Sequence, residues 1–178
     1  MTRTVLVTGG AGFIGAYVAK DLLARGFHVV AYDIQPAGNV LSLLPGIGAG
    51  APGLALEAGE ITDGWRLIDV CRRHGVESLV HLASPLTKEV EENPITGMRD
   101  ICSGTATVFA VAREVHLRRV VWASSVAVFG PRSGYPSGAL PDAAAHRPTS
   151  LYGSCKSLCE NLARRADERE KVDVIGLR

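Results

Sequence analysis

The sequence predicts an α/β fold, a parallel sheet doubly wound with helices, and three observations carry that expectation. Short apolar runs rich in β-branched residues alternate with longer stretches of helical period along the whole chain, the pattern of repeated strand–helix–strand units. The strand-like runs are apolar at consecutive positions, so they suit a sheet covered on both faces. A glycine cluster stands directly between the first run and the first helical stretch, where a tight turn must carry the chain from sheet to helix. At 178 residues the chain can bury roughly 70% of its unfolded surface, enough for one compact domain over 1–178 and too little for two.

Taken in order, strands are expected at Thr4–Thr8, His28–Asp33, Leu54–Glu57, Ser78–Leu82, Arg119–Ser124 and Asp173–Leu177. Helices are expected at Phe13–Arg25, Gly64–His74, Ile95–Val115 and Ser150–Glu170. Between Ile34 and Gly53 the chain is dense in Gly, Pro and Ala, so the second crossover should be irregular or only briefly helical. A second connection, Pro131 to Pro148, holds four prolines and is long enough to be functional.

Composition narrows the function classes. Apolar residues at 47% and charged residues at 21% are ordinary for a globular protein. A formal net charge of +1 offers no basic excess to neutralise phosphates, so a nucleic-acid partner is not expected. The pairs Arg72-Arg73, Arg118-Arg119 and Arg164-Arg165 read as solvated helix faces and turns. Met1-Thr2-Arg3-Thr4 leads straight into a strand pattern without the three parts of a secretory signal. No apolar run is long enough to cross a bilayer, and the expectation is a cytoplasmic protein with no membrane partner. Cys71, Cys102, Cys155 and Cys159 lack metal-ligand spacing, so packed, reduced thiols and no metal site are expected. Cys155 and Cys159 lie one helical turn apart, and packing is the simpler reading of that pair than redox or metal chemistry.

The first candidate site follows the first strand. Gly9-Gly10-Ala11-Gly12-Phe13-Ile14-Gly15 is a GxxGxxG arrangement opening a helix. Gly9 permits the tight turn, Gly12 lets backbone amides approach a pyrophosphate, and Gly15 allows close packing of helix on strand. The diphosphate of a dinucleotide would rest on the positive end of the helix. Asp33 closes the next strand, where a carboxylate accepts from both ribose hydroxyls and repels a 2′-phosphate. NAD is therefore expected over NADP.

The second candidate site is late in the chain. Tyr152-Gly153-Ser154-Cys155-Lys156 places a phenol and an ammonium on one helix face, a turn apart. A cation there should lower the tyrosine pKa and make proton exchange with a substrate hydroxyl feasible. Ser124-Ser125 end a strand at the carboxyl edge of the sheet, where ligands of open α/β folds bind; a hydroxyl there reaches both a substrate oxygen and the phenol.

Together these segments resemble the extended short-chain dehydrogenase/reductase family, in particular its NAD-dependent sugar-nucleotide epimerase/dehydratase branch, whose Rossmann-type domain they would form. The resemblance runs from Thr8–Gly15 through His81-Leu82-Ala83-Ser84 and Ser125-Val126-Ala127-Val128-Phe129-Gly130 to Tyr152–Lys156. It implies that Tyr152 is the acid/base, that Lys156 bonds the nicotinamide ribose and tunes Tyr152, and that Ser125 orients the substrate oxygen. It also implies that Glu60 and Ile61, in the turn Gly59–Asp63, meet the adenine, and that Leu82, Ala83 and Ser84 line the cofactor. Phe13 and Ile14 belong to the same implied cofactor surface.

Departures from the pattern refine the expectation. Val126 and Ala127 follow Ser125 where the family's 4,6-dehydratases carry an Asp-Glu pair, which disfavours dehydration. Ile101 stands where many relatives have an asparagine, and Phe129 where tyrosine is common. The last residues, Val174–Arg178, resemble the strand after which family members continue into a substrate-binding domain, so the C-terminal substrate domain is expected to be absent. The leading expectation is an epimerase acting on a nucleotide sugar or other polyol by reversible hydride transfer. Its alternatives are an NAD-dependent dehydrogenase or reductase of a sugar acid, sterol or other alcohol, and a non-catalytic NAD-binding module. The resemblance further implies a homodimer. The stripes Val108, Val111, Ala112, Val115 and Leu158, Leu162 could serve that contact or face the core equally well.

Overall fold

The computed structural model describes residues 3–37, 40–44, 46–47 and 50–178. Six strands, β1 (Thr4–Thr8), β2 (His28–Asp33), β3 (Leu54–Ala58), β4 (Val76–His81), β5 (Arg119–Ala123) and β6 (Val174–Leu177), form one sheet in the order β3-β2-β1-β4-β5-β6. All five pairings are parallel. The chain builds outward from β1 to β3, then crosses back to lay β4 on the other side of β1. That reversal leaves a crevice at the carboxyl ends of β1 and β4, where open α/β sheets bind ligands.

The sheet has a core on each face, which is what double winding means physically. On one face Val5 and Val7 pack with Val29, Ala31, Ala16, Ala19 and Leu41, under α1 (Phe13–Ala24) and the short α2 (Val40–Leu43). On the other, Leu6, Val30 and Tyr32 pack with Leu67, Val70, Val108 and Phe109, under α3 (Gly64–His74) and two later helices. Alternation along β1, with Leu6 on one side and Val5 and Val7 on the other, follows from the two-residue repeat of a strand. The apolar stripe is strongest in the middle of the sheet: every residue of β1 is buried.

The edges depart from the expected two-sided cover. In β6, which among the described residues pairs with β5 at the edge of the sheet, Ile175 is 38% and Leu177 59% exposed. At the opposite edge, Glu57 of β3 is tied to α3 by Arg66, Arg73 and His74 at 2.7–3.0 Å. Hydrogen bonding from Arg73 is the main reason the Glu57 carboxyl titrates near 2.

Helix boundaries follow local chemistry. Asp63 caps α3 by accepting from the Arg66 amide at 2.9 Å, and Gly75 closes it at φ +59, a left-handed conformation that favours glycine. Ser150 caps the last helix, α7 (Leu151–Glu170), by accepting from the Gly153 amide. The expected single helix over Ile95–Val115 is instead three pieces: α5 (Pro94–Met98), a π-helical turn at Arg99–Ser103, and α6 (Gly104–Glu114). Close packing at both joints accompanies the break: a Cβ on Gly97 would meet Val90 at 2.9 Å and one on Gly104 would meet Ile61 at 2.7 Å.

Helix α4 (Thr87–Glu92) was not expected. Only its Val90 is buried, so its six residues carry no apolar period to read. The 34–53 crossover contains α2 and little else regular among its described residues; positions 38, 39, 45, 48 and 49 lie outside them. The dimer-or-core stripe resolves toward the core, with Val108, Val111 and Ala112 buried and Val115 and Leu162 packed against that cluster. Leu158 alone of the six is exposed. No helix among the described residues is long and apolar enough to cross a membrane.

Candidate active site

The crevice is a cleft of about 880 Å³ at the carboxyl edge of the sheet. Gly9, Gly12, Phe13, Ile14, Gly15, Asp33, Glu60, Ile61, Leu82, Ala83 and Ser84 all line it. The glycine turn forms its floor. Gly9 adopts φ +66, and a Cβ there would fall 2.8 Å from the Ala83 nitrogen. A Cβ on Gly15 would fall 2.0 Å from the Gly9 oxygen, so Gly15 seats α1 on the turn itself. The sheet contact expected of Gly15 belongs to Gly10, whose Cβ would lie 2.8 Å from Ala31.

Gly12 differs from the other three. It is the N-cap of α1, and a Cβ there would meet only the Gly9 oxygen at 3.3 Å. Having a hydrogen for a side chain, it brings no oxygen to compete for the first-turn amides, which remain available to an anion. Asp33 braces the turn from the side, its carboxylate accepting from the Ala11 amide at 3.1 Å and the Gln35 amide at 3.3 Å. The Glu60 turn is held by the Tyr32 hydroxyl, which donates to the Glu60 carbonyl at 2.9 Å. Burial pushes the Tyr32 phenol up to about 12, so it stays a donor.

Ser125, Tyr152 and Lys156 are not among the residues that line the cleft; they stand next to its Ser84 end. Ser125 caps a 3₁₀ turn, Val126–Val128, its hydroxyl accepting from the Ala127 amide at 3.1 Å. Tyr152, half-buried in the first turn of α7, faces the hydroxyls of Ser125 and Ser84. Ser84 thus neighbours the phenol as well as lining the cleft. A Cβ on Gly153 would lie 2.5 Å from the Ala127 oxygen, which sets how closely α7 approaches the serine turn.

The expected acidification of Tyr152 is reversed. Burial raises its pKa, and the bonds with Ser125 and Ser84 oppose that without overcoming it. Lys156 directs its ammonium elsewhere. Its Nζ donates to the Ala123 carbonyl at 2.9 Å and sits over the rings of Trp122 and Tyr152, 5.6 Å from the latter's centroid. It thus approaches the ring face. Burial also lowers the Lys156 pKa, with the sulfurs of Cys159, Cys102 and Cys155 pulling the other way.

Several neighbours carry no sequence signal. Pro85, Leu86, Glu89 and Asn93 also line the cleft but belong to a stretch without motif or period, and Thr96, Arg99 and Asp100 line it from a segment read only as helix. A second group pins the 131–148 loop. Arg178 grips Glu160 of α7 at 2.6 and 2.7 Å and donates to the Asp142 carbonyl, while the Ser124 hydroxyl donates to Glu160 at 2.5 Å. Burial acts to raise the Glu160 carboxyl, and the bonds from Arg178 and Ser124 more than reverse it. Phe129, where tyrosine was the common choice, packs between Tyr135, His146 and the Arg178 guanidinium.

The family model for the NAD dependent epimerase/dehydratase family matches residues 5–178. The chain belongs to that family. A UDP-glucose 4-epimerase of Rhizobium meliloti (strain 1021) is 29% identical over 159 residues, 89% of this chain and 45% of that protein. One from Azospirillum brasilense is 31% identical over 175 residues, 98% of this chain and 47% of its own. Among solved structures, UDP-glucose 4-epimerase from Brucella ovis in complex with NAD superposes with a TM-score of 0.83 at 27% identity, covering 99% of this chain and 51% of that one. A GalE-like L-threonine dehydrogenase from Cupriavidus necator, in its holo form, gives a TM-score of 0.85 at 30% identity over 99% of this chain and 54% of that one. The chain thus spans about half the length of the epimerase/dehydratase relatives it matches.

Proposed function

We propose that this chain is the dinucleotide-binding part of an NAD-dependent sugar-nucleotide epimerase in which Tyr152 exchanges the substrate's hydroxyl proton. The observation that carries the reading is that Tyr152 neighbours Ser84 and Ser125 beside a glycine-floored cleft that Ser84 itself lines. The cleft suits NAD because Gly12 leaves open the space a Cβ would fill, in front of amides that favour a pyrophosphate. Asp33 would hold the adenosine ribose and exclude a 2′-phosphate; Glu60 and Ile61 would meet the adenine; Leu82, Ala83, Ser84 and Lys156 would border the nicotinamide riboside.

When bound, NAD supplies a reversible hydride acceptor. Tyr152 would act as the phenolate, a form that burial disfavours in the chain alone and that the positive charges of Lys156 and the nicotinamide ring would favour; it would then take the proton of the substrate hydroxyl as its carbon is oxidised and return it on reduction. Ser125 holds the same oxygen, and Lys156 supplies positive charge at the face of the phenol ring. The substrate is a nucleotide sugar or another polyol, the assembly a homodimer, and the location the cytoplasm.

In the epimerase reading, UDP-sugar epimers interconvert with no net NADH, and Tyr152→Phe lowers turnover by about a thousandfold. Unchanged turnover in that variant would overturn the assignment. The likeness to an L-threonine dehydrogenase favours a second reading, oxidation of a sugar acid, sterol or other alcohol, which steady NADH release with such a substrate would select. NAD binding without turnover on either panel would leave a non-catalytic NAD-binding module.

A further inference from the structure

Beneath the cleft lies a row of buried polar side chains that the proposed chemistry does not use. Thr8, His81 and Thr105 are 0, 3 and 1% exposed. Thr8 ends β1, His81 ends β4, and Thr105 follows the π-helical turn in α6. Thr8 Oγ1 lies 2.8 Å from His81 Nδ1, and His81 Nε2 lies 3.2 Å from Thr105 Oγ1.

The ring's protonation follows from counting lone pairs. Thr8 Oγ1 accepts from the Ala83 amide at 3.3 Å and shares the Leu82 amide, at 3.2 Å, with the Thr8 carbonyl at 3.1 Å, so amide donors approach both of its lone pairs. Its one hydrogen is left for His81 Nδ1, which must therefore be the unprotonated acceptor. A neutral imidazole then carries its proton on Nε2 and donates to Thr105. An Nδ1–H ring, or an imidazolium, would aim a third donor at Thr8 and strand its hydroxyl hydrogen in a buried place. Burial keeps the ring neutral, and the charge on Lys156 acts in the same direction. Beyond Thr105 the row continues: its hydroxyl faces the Cys159 sulfur, and the Cys159 thiol donates to the Ile101 carbonyl at 3.6 Å. Ile101 lies within the π-helical turn.

We propose that His81 is a positioning residue for the cleft: fixed as the Nε2–H tautomer, it carries a one-way chain of hydrogen bonds from the Leu82 and Ala83 amides to the π-helical turn. The consequence is local and mechanical. Ala83 sits against Gly9 so closely that a Cβ on the glycine would touch its nitrogen, so whatever holds the Ala83 amide holds the turn that meets the pyrophosphate. Leu82 and Ala83 line the cleft at one end of the chain of bonds, and Arg99 and Asp100 of the π-helical turn line it at the other. The consequence for NAD binding rests on the cofactor reading above; the tautomer does not.

The test uses the whole chain. Long-range ¹⁵N–¹H spectra of the imidazole at pH 7 should show a protonated Nε2 and a bare Nδ1. His81→Leu should weaken NAD binding about tenfold and speed hydrogen exchange at the Leu82 and Ala83 amides. His81→Asn, which keeps an acceptor near Thr8, should recover part of both. Should His81→Leu not fold, Thr105→Val carries the same test by removing the acceptor for Nε2–H, and Thr105→Ser should restore it. An Nδ1–H or doubly protonated ring would overturn the proposal, as would wild-type NAD affinity and exchange in folded His81→Leu or Thr105→Val. A wild-type chain that ignored NAD would sink the cofactor reading alone, and the spectrum and exchange rates would still decide the role of His81.

Discussion

The two ends of the cleft are built from different materials. At the glycine turn the walls are backbone: Cβ atoms on Gly9, Gly10 and Gly15 would overlap Ala83, Val7 and Ala31, and the Gly9 oxygen itself. At the hydroxyl end Ser84 lines the cleft, and behind it stand the side chains of Ser125, Tyr152 and Lys156. Backbone in van der Waals contact has one arrangement, and a ligand must match it. Side chains respond to what approaches, through burial, charge and hydrogen bonds. The shape of the glycine end is thus set by steric exclusion, whereas the titration of Tyr152 is governed mainly by its burial.

The largest effect expected from this contrast is at Gly15. A Cβ 2.0 Å from the Gly9 oxygen has no flexible neighbour to displace, so Gly15→Ala should lower stability by about 3 kcal/mol and abolish NAD binding. Thermal unfolding with and without NAD checks both; a stable variant that still binds would break the claim that this end is fixed by backbone contact.

Acid should come next. The folded His81 titrates near 3, far below an ordinary histidine, so below about pH 6.5 the unfolded chain takes up a proton that the folded chain refuses. Stability therefore falls with pH, by an amount on the order of 2 kcal/mol near pH 5. Glu57 acts lower down: its folded value near 2 lies under the ordinary carboxylate range, so its contribution is intact above about pH 4.5 and lost between there and 2. Urea unfolding at pH 7, 5.5 and 4 should give a monotonic decline, and a flat profile from 7 to 5.5 would remove the buried neutral ring from beneath the backbone end. A smaller change is expected at Asp33, which braces the turn through the Ala11 amide. Asp33→Asn should weaken NAD about tenfold while narrowing the preference over NADP; calorimetry with both dinucleotides would show whether charge or bracing dominates there.

How much of this was legible beforehand follows the same division. The strands β1 and β2 have the bounds expected of them, and the others lie within two residues, because runs of consecutive apolar residues mark the middle of a covered sheet. The glycine turn was legible because steric exclusion leaves a residue signature, although Gly10 performs the sheet contact assigned to Gly15. Helix α4 and the π-helical turn left no period to read. Tyr152 and Lys156 were visible as a pair, but their spacing does not reveal that Lys156 turns to the Ala123 carbonyl and that burial governs the phenol. His81 was visible as part of the His81-Leu82-Ala83-Ser84 segment but carried no role, because its partners lie 73 and 24 residues away in the chain.

Gly12 gives the smallest effect on the fold and the sharpest test of the contrast. Its backbone, φ −71 and ψ 175, is one that alanine adopts freely, and its Cβ would meet a single atom at 3.3 Å. Gly12→Ala should therefore change stability by no more than about 0.5 kcal/mol. The same methyl group would stand in front of the first-turn amides of α1, so NAD should bind about tenfold more weakly, the equivalent of about 1.4 kcal/mol. Gly15 and Gly12 are three residues apart in one motif, yet one is held by the fold and the other by the ligand. If Gly12→Ala lost stability as Gly15→Ala does, or bound NAD as tightly as the wild type, the space in front of α1 would not be where the diphosphate lies.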